Sequence, residues 1–197
     1  MDFSDVVRRR RMVRNFDDRP LSTTDVDRLL AAAAQGPSAG FTQGVDLLAL
    51  EGPEETARFL AASGGDGERS RAAWPGVARA PLMVVVLSSE AAYRDRYAEA
   101  DKARSALAGG RPWPVPYWHV DAAFAAMLLL LAAVDLGLGA LFFAVADADG
   151  LRAEFGVPPE WAPVGAVAVG HPATDRPSGS LSRGRRPLDE VVHRGRW

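Results

Sequence analysis

The residues of this sequence most capable of chemistry are arginines. Arg10-Arg11-Met12-Val13-Arg14 gathers three cations around an expected helix end. There they can converge on one anion, because the guanidinium fork makes paired hydrogen bonds to phosphate oxygens. The same residues can also be read as a solvated basic face. A second cluster, Arg183, Arg185 and Arg186, lies near the carboxy end, ahead of Pro187-Leu188-Asp189-Glu190-Val191-Val192. By itself that segment reads equally as a solvated tail. Of the 23 basic residues only Lys102 is a lysine and 22 are arginines, and the net charge of −2 conceals their clustering. Nucleic acid is not an expected partner, since the charge is negative and no stacking aromatics interleave the arginines.

Two other segments have ligand-binding potential. Gly36-Pro37-Ser38-Ala39-Gly40-Phe41-Thr42-Gln43-Gly44 falls between an expected helix and an expected strand. Its small residues let backbone amides approach a flat ligand, and Ser38, Thr42 and Gln43 can bond heteroatoms. Gly137-Leu138-Gly139 leads into Ala140-Leu141-Phe142-Phe143-Ala144-Val145, where backbone N–H groups can meet a cofactor edge. Either segment can also be an ordinary connection between elements.

Much chemistry is excluded. The chain has no cysteine, which removes disulfides, thiolate metal sites and cysteine nucleophiles and fits a reducing cytoplasm. His119, His171 and His193 are far apart with no ligand spacing, so no metal site is expected. No catalytic dyad emerges, and any chemistry is expected to come from a bound cofactor. No export signal is evident. The uncharged apolar run Ala122 to Val134 is shorter than the ~20 residues of a membrane span, so it reads as a buried helix and a membrane is not expected.

These segments need elements to position them. An opening helix runs over Asp2 to Arg11, with Arg8 to Arg11 at its end where cations suit the helix dipole. Ser22-Thr23-Thr24-Asp25 caps a second helix whose Val26, Leu29, Leu30 and Ala33 recur at helical spacing, and Gly36-Pro37 stops it. Val45 to Leu50 is a buried strand, Glu54 to Ala62 a helix and Ser63 to Gly76 an exposed loop. Leu82 to Leu87 is the clearest strand. A helix over Ser89 to Leu107 is broken by Gly109 to Pro116, and a long buried helix covers His119 to Leu136. Ala140 to Val145 and Val164 to Val169 are strands on either side of a short capped helix, Asp147 to Phe155. Strands separated by helices imply one α+β or α/β domain over residues 1–197, with a sheet flanked by helices.

In this order the motifs resemble the nitroreductase family of FMN-dependent oxidoreductases: Arg-Arg-x-Val-Arg-x-Phe after the first helix, Pro-Ser-x-x-x-x-Gln after the second, Gly-Leu-Gly after the long helix, and a closing Arg-x-Arg-Arg-Pro-Leu-x-Glu-Val-Val. The resemblance implies a three-layer α/β/α sandwich with a mixed sheet and an intertwined cytoplasmic homodimer with two flavins at the interface. Arg10 and Arg11 would grip the FMN phosphate together with Arg183 and Arg185, Arg186 being a neighbouring candidate. Arg14 would place a cation near the pyrimidine end of the flavin. Pro37, Ser38, Ala39, Phe41 and Gln43 would lie along the isoalloxazine ring, with Gln43 at its polar edge, and the backbone of Phe143, Ala144 and Val145 would face the reactive ring nitrogen.

The implied activity passes electrons from NAD(P)H to nitroaromatics, quinones or similar flat acceptors in two half-reactions, without a protein acid or base. Tyr117, Trp118 and Phe124 would cover the flavin from the second chain or pack the dimer core, and Trp74 is a candidate lid. Met12 would lie against the FMN phosphate and ribityl chain, where the family commonly has a small polar residue, while Phe41 stands where asparagine is common and Gly44 where proline is frequent. Gly40-Phe41-Thr42-Gln43 is also similar to the flavin destructase branch, the dimethylbenzimidazole synthases, but that branch has aspartate where Met12 stands. The same motifs fit a non-catalytic flavin-binding protein or an enzyme that holds a deazaflavin in place of FMN.

Overall fold

In the computed structural model, residues 1–64, 74–110, 112–174 and 178–197 are described. Most of the expected loop between Ser63 and Gly76, and Arg111 of the helix-breaking run, lie outside them. Four strands build one sheet: β1 Val45–Glu51, β2 Leu82–Ser88, β3 Gly139–Phe143 and β4 Ala162–Gly170, in the order β1-β2-β4-β3. All three pairings are antiparallel. The parallel component of the expected mixed sheet comes down to one bridge, Met12 beside Ala140. The helices are α1 Phe3–Arg9, α2 Thr23–Ala33, α3 Gly52–Ala62, α4 Glu90–Ala98, α5 Tyr117–Asp135, α6 Ala148–Phe155 and α7 Leu188–Val191.

Every residue of β2 is buried, because successive side chains point to opposite faces and both faces are covered. Leu82, Val84 and Val86 join Val26 and Leu29 of α2 and Ala126 and Leu129 of α5 in one core. Met83, Val85 and Leu87 join Phe59 of α3, Leu151 of α6 and Phe16 in the other. This is the expected α/β/α sandwich. β1 is an edge strand and mostly half-buried, not the buried strand its apolar text suggests.

Three other elements differ from the sequence reading. The helix expected over Ser89 to Leu107 stops at Ala98, Glu99 turns extended, and a 3-10 turn follows at Ala100–Lys102. Alanine and charged residues give this stretch helical propensity, but beyond Tyr97 little apolar surface is available to dock a longer helix. Arg96 closes the end on Glu99 and Asp101. β3 ends at Phe143, leaving Ala144 and Val145 beyond the ladder. α5 begins at Tyr117, and its 19 residues are long and apolar enough, by length and composition, to cross a membrane, unlike the shorter run read from sequence. In this fold it packs Ala122, Ala126, Leu129 and Leu130 into the core.

Candidate functional site

The amino-terminal arginines are laid against β3. Asp2 caps α1 by accepting from Ser4 N at 2.8 Å, and the helix stops where Arg10 N–H donates to Val6 O. The chain then runs extended, and Val13 N donates to Ala140 O at 2.9 Å. A Cβ on Gly139 would come within 2.9 Å of Val13, so the second glycine of Gly-Leu-Gly is what lets this segment dock. Arg10 Nη1 is buried with no hydrogen-bond partner. A buried guanidinium donor left unpaired is costly, and any oxygen acceptor that reaches it, an anionic one most strongly, relieves that cost. Arg11 is exposed. Arg14 Nη1 donates to Met12 O at 3.4 Å, and its guanidinium lies 5.1 Å from the centroid of the Trp74 ring. Met12 is half-buried and packs against both cores, which accounts for an apolar residue at that position.

The loop 36–44 leaves α2 and enters β1 through an unusual backbone. Gly40, Phe41 and Gln43 all have positive φ, at 64°, 55° and 55°. For a bulky residue this is an outlier that its surroundings must impose. Ala39 N donates to Asp121 Oδ2 at 2.7 Å, Arg96 Nε to Gly40 O at 3.1 Å and Gln43 N to Ser38 Oγ at 2.8 Å. A Cβ on Gly40 would meet the Tyr97 ring at 2.7 Å, and one on Gly44 the Tyr93 ring at 2.5 Å. Both glycines are close approaches to α4. The Phe41 side chain projects outward, 76% exposed.

Behind the loop, Asp121 is 4% exposed and also accepts the Tyr93 hydroxyl at 2.7 Å. Burial, and then the adjacent carboxylate, push the Tyr93 phenol well above its ordinary value, so it stays a donor. Pro37, Ser38, Gln43, Asp46 and Asp121 line an open cleft of about 560 Å³ between α2 and α5. Burial also raises the Asp46 carboxyl. Sequence reasoning missed Asp121, Tyr93 and Arg96. The available signal was a lone carboxylate in the apolar text of a buried helix, where a charge persists only with partners.

The remaining candidates lie elsewhere. Phe143 is half-buried, with its ring edge-on to Phe59 at 6.0 Å. Val145 packs on the same core, and Ala144 is exposed. Tyr117 and Trp118 gather around Trp113, at 6.0 and 5.7 Å between ring centroids, with Arg94 over Trp113 and Trp118. They brace α4 from behind the loop. Phe124 is 44% exposed on α5, near Met127. Arg183 and Arg185 sit in a tail whose residues 179–197 are all exposed. Its hydrogen bonds are local, such as Arg186 to Glu190. Among the described residues no hydrogen bond or ion pair joins this tail to Arg10 or Arg11, so one chain does not by itself assemble the two clusters.

An antiparallel four-stranded sheet between two helical layers, with an arginine segment bridged to its β3 edge, is the nitroreductase fold. The chain belongs to the nitroreductase family, whose model matches residues 7–171. An NADPH-dependent oxidoreductase of Staphylococcus aureus is 26% identical over 98% of this chain and 72% of its own length. Among solved structures, NfrA1 of B. megaterium superposes with a TM-score of 0.77 at 20% identity, covering all of this chain and 75% of that one. A nitroreductase-like protein of Desulfovibrio desulfuricans in complex with FMN gives a TM-score of 0.71 at 24% identity, over 100% and 98% of the two chains.

Proposed function

We propose that this protein is an FMN-dependent oxidoreductase, drawing electrons from NAD(P)H and passing them to nitroaromatics, quinones or similar flat acceptors, and that it works as a homodimer. The observation that carries the reading is Arg10 Nη1, buried and without an acceptor at the end of α1. A phosphate oxygen supplies that acceptor with a charge-assisted bond. Arg10 and Arg11 would hold the phosphate, joined by Arg183 and Arg185 from the exposed tail of a second copy. Arg14 would set a cation where negative charge develops on reduction, and Ser38 and Gln43 would bond the polar edge of the ring. When bound, FMN supplies the two-electron chemistry, accepting hydride from one substrate and reducing the next.

The protein's own part is binding, charge and exclusion of water. Support comes from the S. aureus relative, named an NADPH-dependent oxidoreductase, and from the FMN complex of the Desulfovibrio neighbour. The test is the visible absorption of the purified protein, reconstituted with FMN. A yellow protein that bleaches anaerobically with NADPH or NADH and regains its colour with a quinone supports the reading. A colourless protein that takes up no FMN overturns it.

A further inference from the structure

We propose that Asp121 is the positioning residue of the 36–44 loop, fixing it through the Ala39 N–H in the conformation that receives the flavin; this rests on the functional reading above. Left-handed backbone at Phe41 and Gln43 persists only where the surroundings over-determine it. Beside the turn's own Phe41 N–Ser38 O and Thr42–Ala39 O bonds, three side-chain bonds do so: Asp121 accepts from Ala39 N, Arg96 donates to Gly40 O and Ser38 Oγ accepts from Gln43 N. Ser38 belongs to the loop itself. Arg96 is partly solvent-exposed and shared with Glu99 and Asp101. Among the described residues, Asp121 is the side chain whose hydrogen bond ties the loop to α5, which packs on β1, β2, β3, β4 and α2. Its carboxylate is the acceptor a positioning role requires, since Oδ2 takes both the Ala39 N–H and the Tyr93 hydroxyl.

A purely structural role would have Asp121 serve the buried Tyr93 hydroxyl, with the loop incidental. Variants of the full chain separate the two. Asp121→Ala removes both bonds. Asp121→Asn keeps a carbonyl acceptor. Tyr93→Phe removes only the phenol hydroxyl, with its interactions with Asp121 and the Ser38 side chain, and keeps the Ala39–Asp121 bond. Ala39→Pro deletes the loop's donor and leaves α5 untouched; Ser38 before it is already extended, at φ −133° and ψ 120°, as a residue preceding proline should be. The readouts are exchange of the Ala39 amide proton in the flavin-free protein, the Kd for FMN from flavin fluorescence, and the position of the bound flavin's visible band.

The role predicts that Asp121→Ala speeds Ala39 exchange and raises the FMN Kd, each by about tenfold or more, and shifts the band. Ala39→Pro weakens FMN by a comparable factor. Asp121→Asn and Tyr93→Phe stay within about threefold of wild type. The proposal is overturned if Asp121→Ala binds FMN like wild type, or if Tyr93→Phe reproduces the whole loss. Should Asp121→Ala fail to fold, Ala39→Pro decides, and wild-type affinity there overturns the role. Failure of the wild type itself to bind FMN overturns the flavin reading and is distinguished by that fact.

Discussion

Arg10 shows how one side chain carries functional information that its neighbours do not. Arg8 and Arg9 in the last turn of α1 serve the helix dipole, and Arg11 is exposed to water. Among the described residues, Arg10 is the arginine that holds a guanidinium nitrogen out of solvent with nothing to bond. Restoring an anionic acceptor to such a donor is worth about 1.5–3 kcal/mol. Arg10→Ala is therefore expected to raise the FMN Kd by roughly ten- to a hundredfold, and Arg11→Ala by less, because its charge is screened by water and salt. Fluorescence titration with FMN checks both, and equal effects from the two would count against a specific grip by Arg10. The arginines were legible in the sequence because they cluster locally. Asp121 was not: its partners Ala39 and Tyr93 are 82 and 28 residues away, and nothing in its local sequence announces them.

At the level of elements, α4 is the clamp on the loop, pressing Tyr93 and Tyr97 against Gly44 and Gly40 and bonding Gly40 O through Arg96. Its end is set by Arg96 forking onto Asp101, which holds the Asp101 carboxyl down at about 2, well below its ordinary 3.8. A carboxylate depressed in the folded state contributes stability that is fully present above 3.8 and is lost as pH falls through about 2. The urea midpoint of wild type should thus exceed that of Asp101→Asn above pH 4, by an amount that added salt diminishes. The two should converge as pH approaches 2, and a gap that persists there would assign Asp101 another role. The elements most legible in sequence were those fixed by local pattern: β2 by its unbroken apolar run, α2 by its Ser22 cap, and α6 by its Asp147 cap. The end of α4 and the edge position of β1 depend on tertiary neighbours and sheet order, which leave no periodic trace.

At the scale of the whole molecule, a net charge of −2 hides two arginine clusters that one chain leaves apart. Residues 179–197 bury nothing, and Leu181, Leu188, Val191, Val192 and Trp197 are all exposed. A tail this apolar is matched by Phe124 and Met127 left open on α5 and by Phe3 and Val7 on α1. Contiguous exposed apolar surface is characteristic of an interface, and a tail exchanged between two identical chains closes with two-fold symmetry. Such an exchange would carry Arg183 and Arg185 to the Arg10 of the other copy. A chain ending at Ser178 should therefore keep its circular dichroism spectrum apart from the small helical signal of α7 and the 3-10 turn at Gly179–Arg183, since the tail supplies no core residue. It should become monomeric by light scattering and lose most of its FMN affinity. The double variant Arg183→Ala, Arg185→Ala separates the tail's two roles: it should remain dimeric, because the apolar contacts are intact, yet release FMN more readily, with the loss growing smaller as salt screens the phosphate contacts. A shortened chain that stays dimeric and binds FMN like the full one would rule out the exchange and leave the phosphate to the amino-terminal arginines alone.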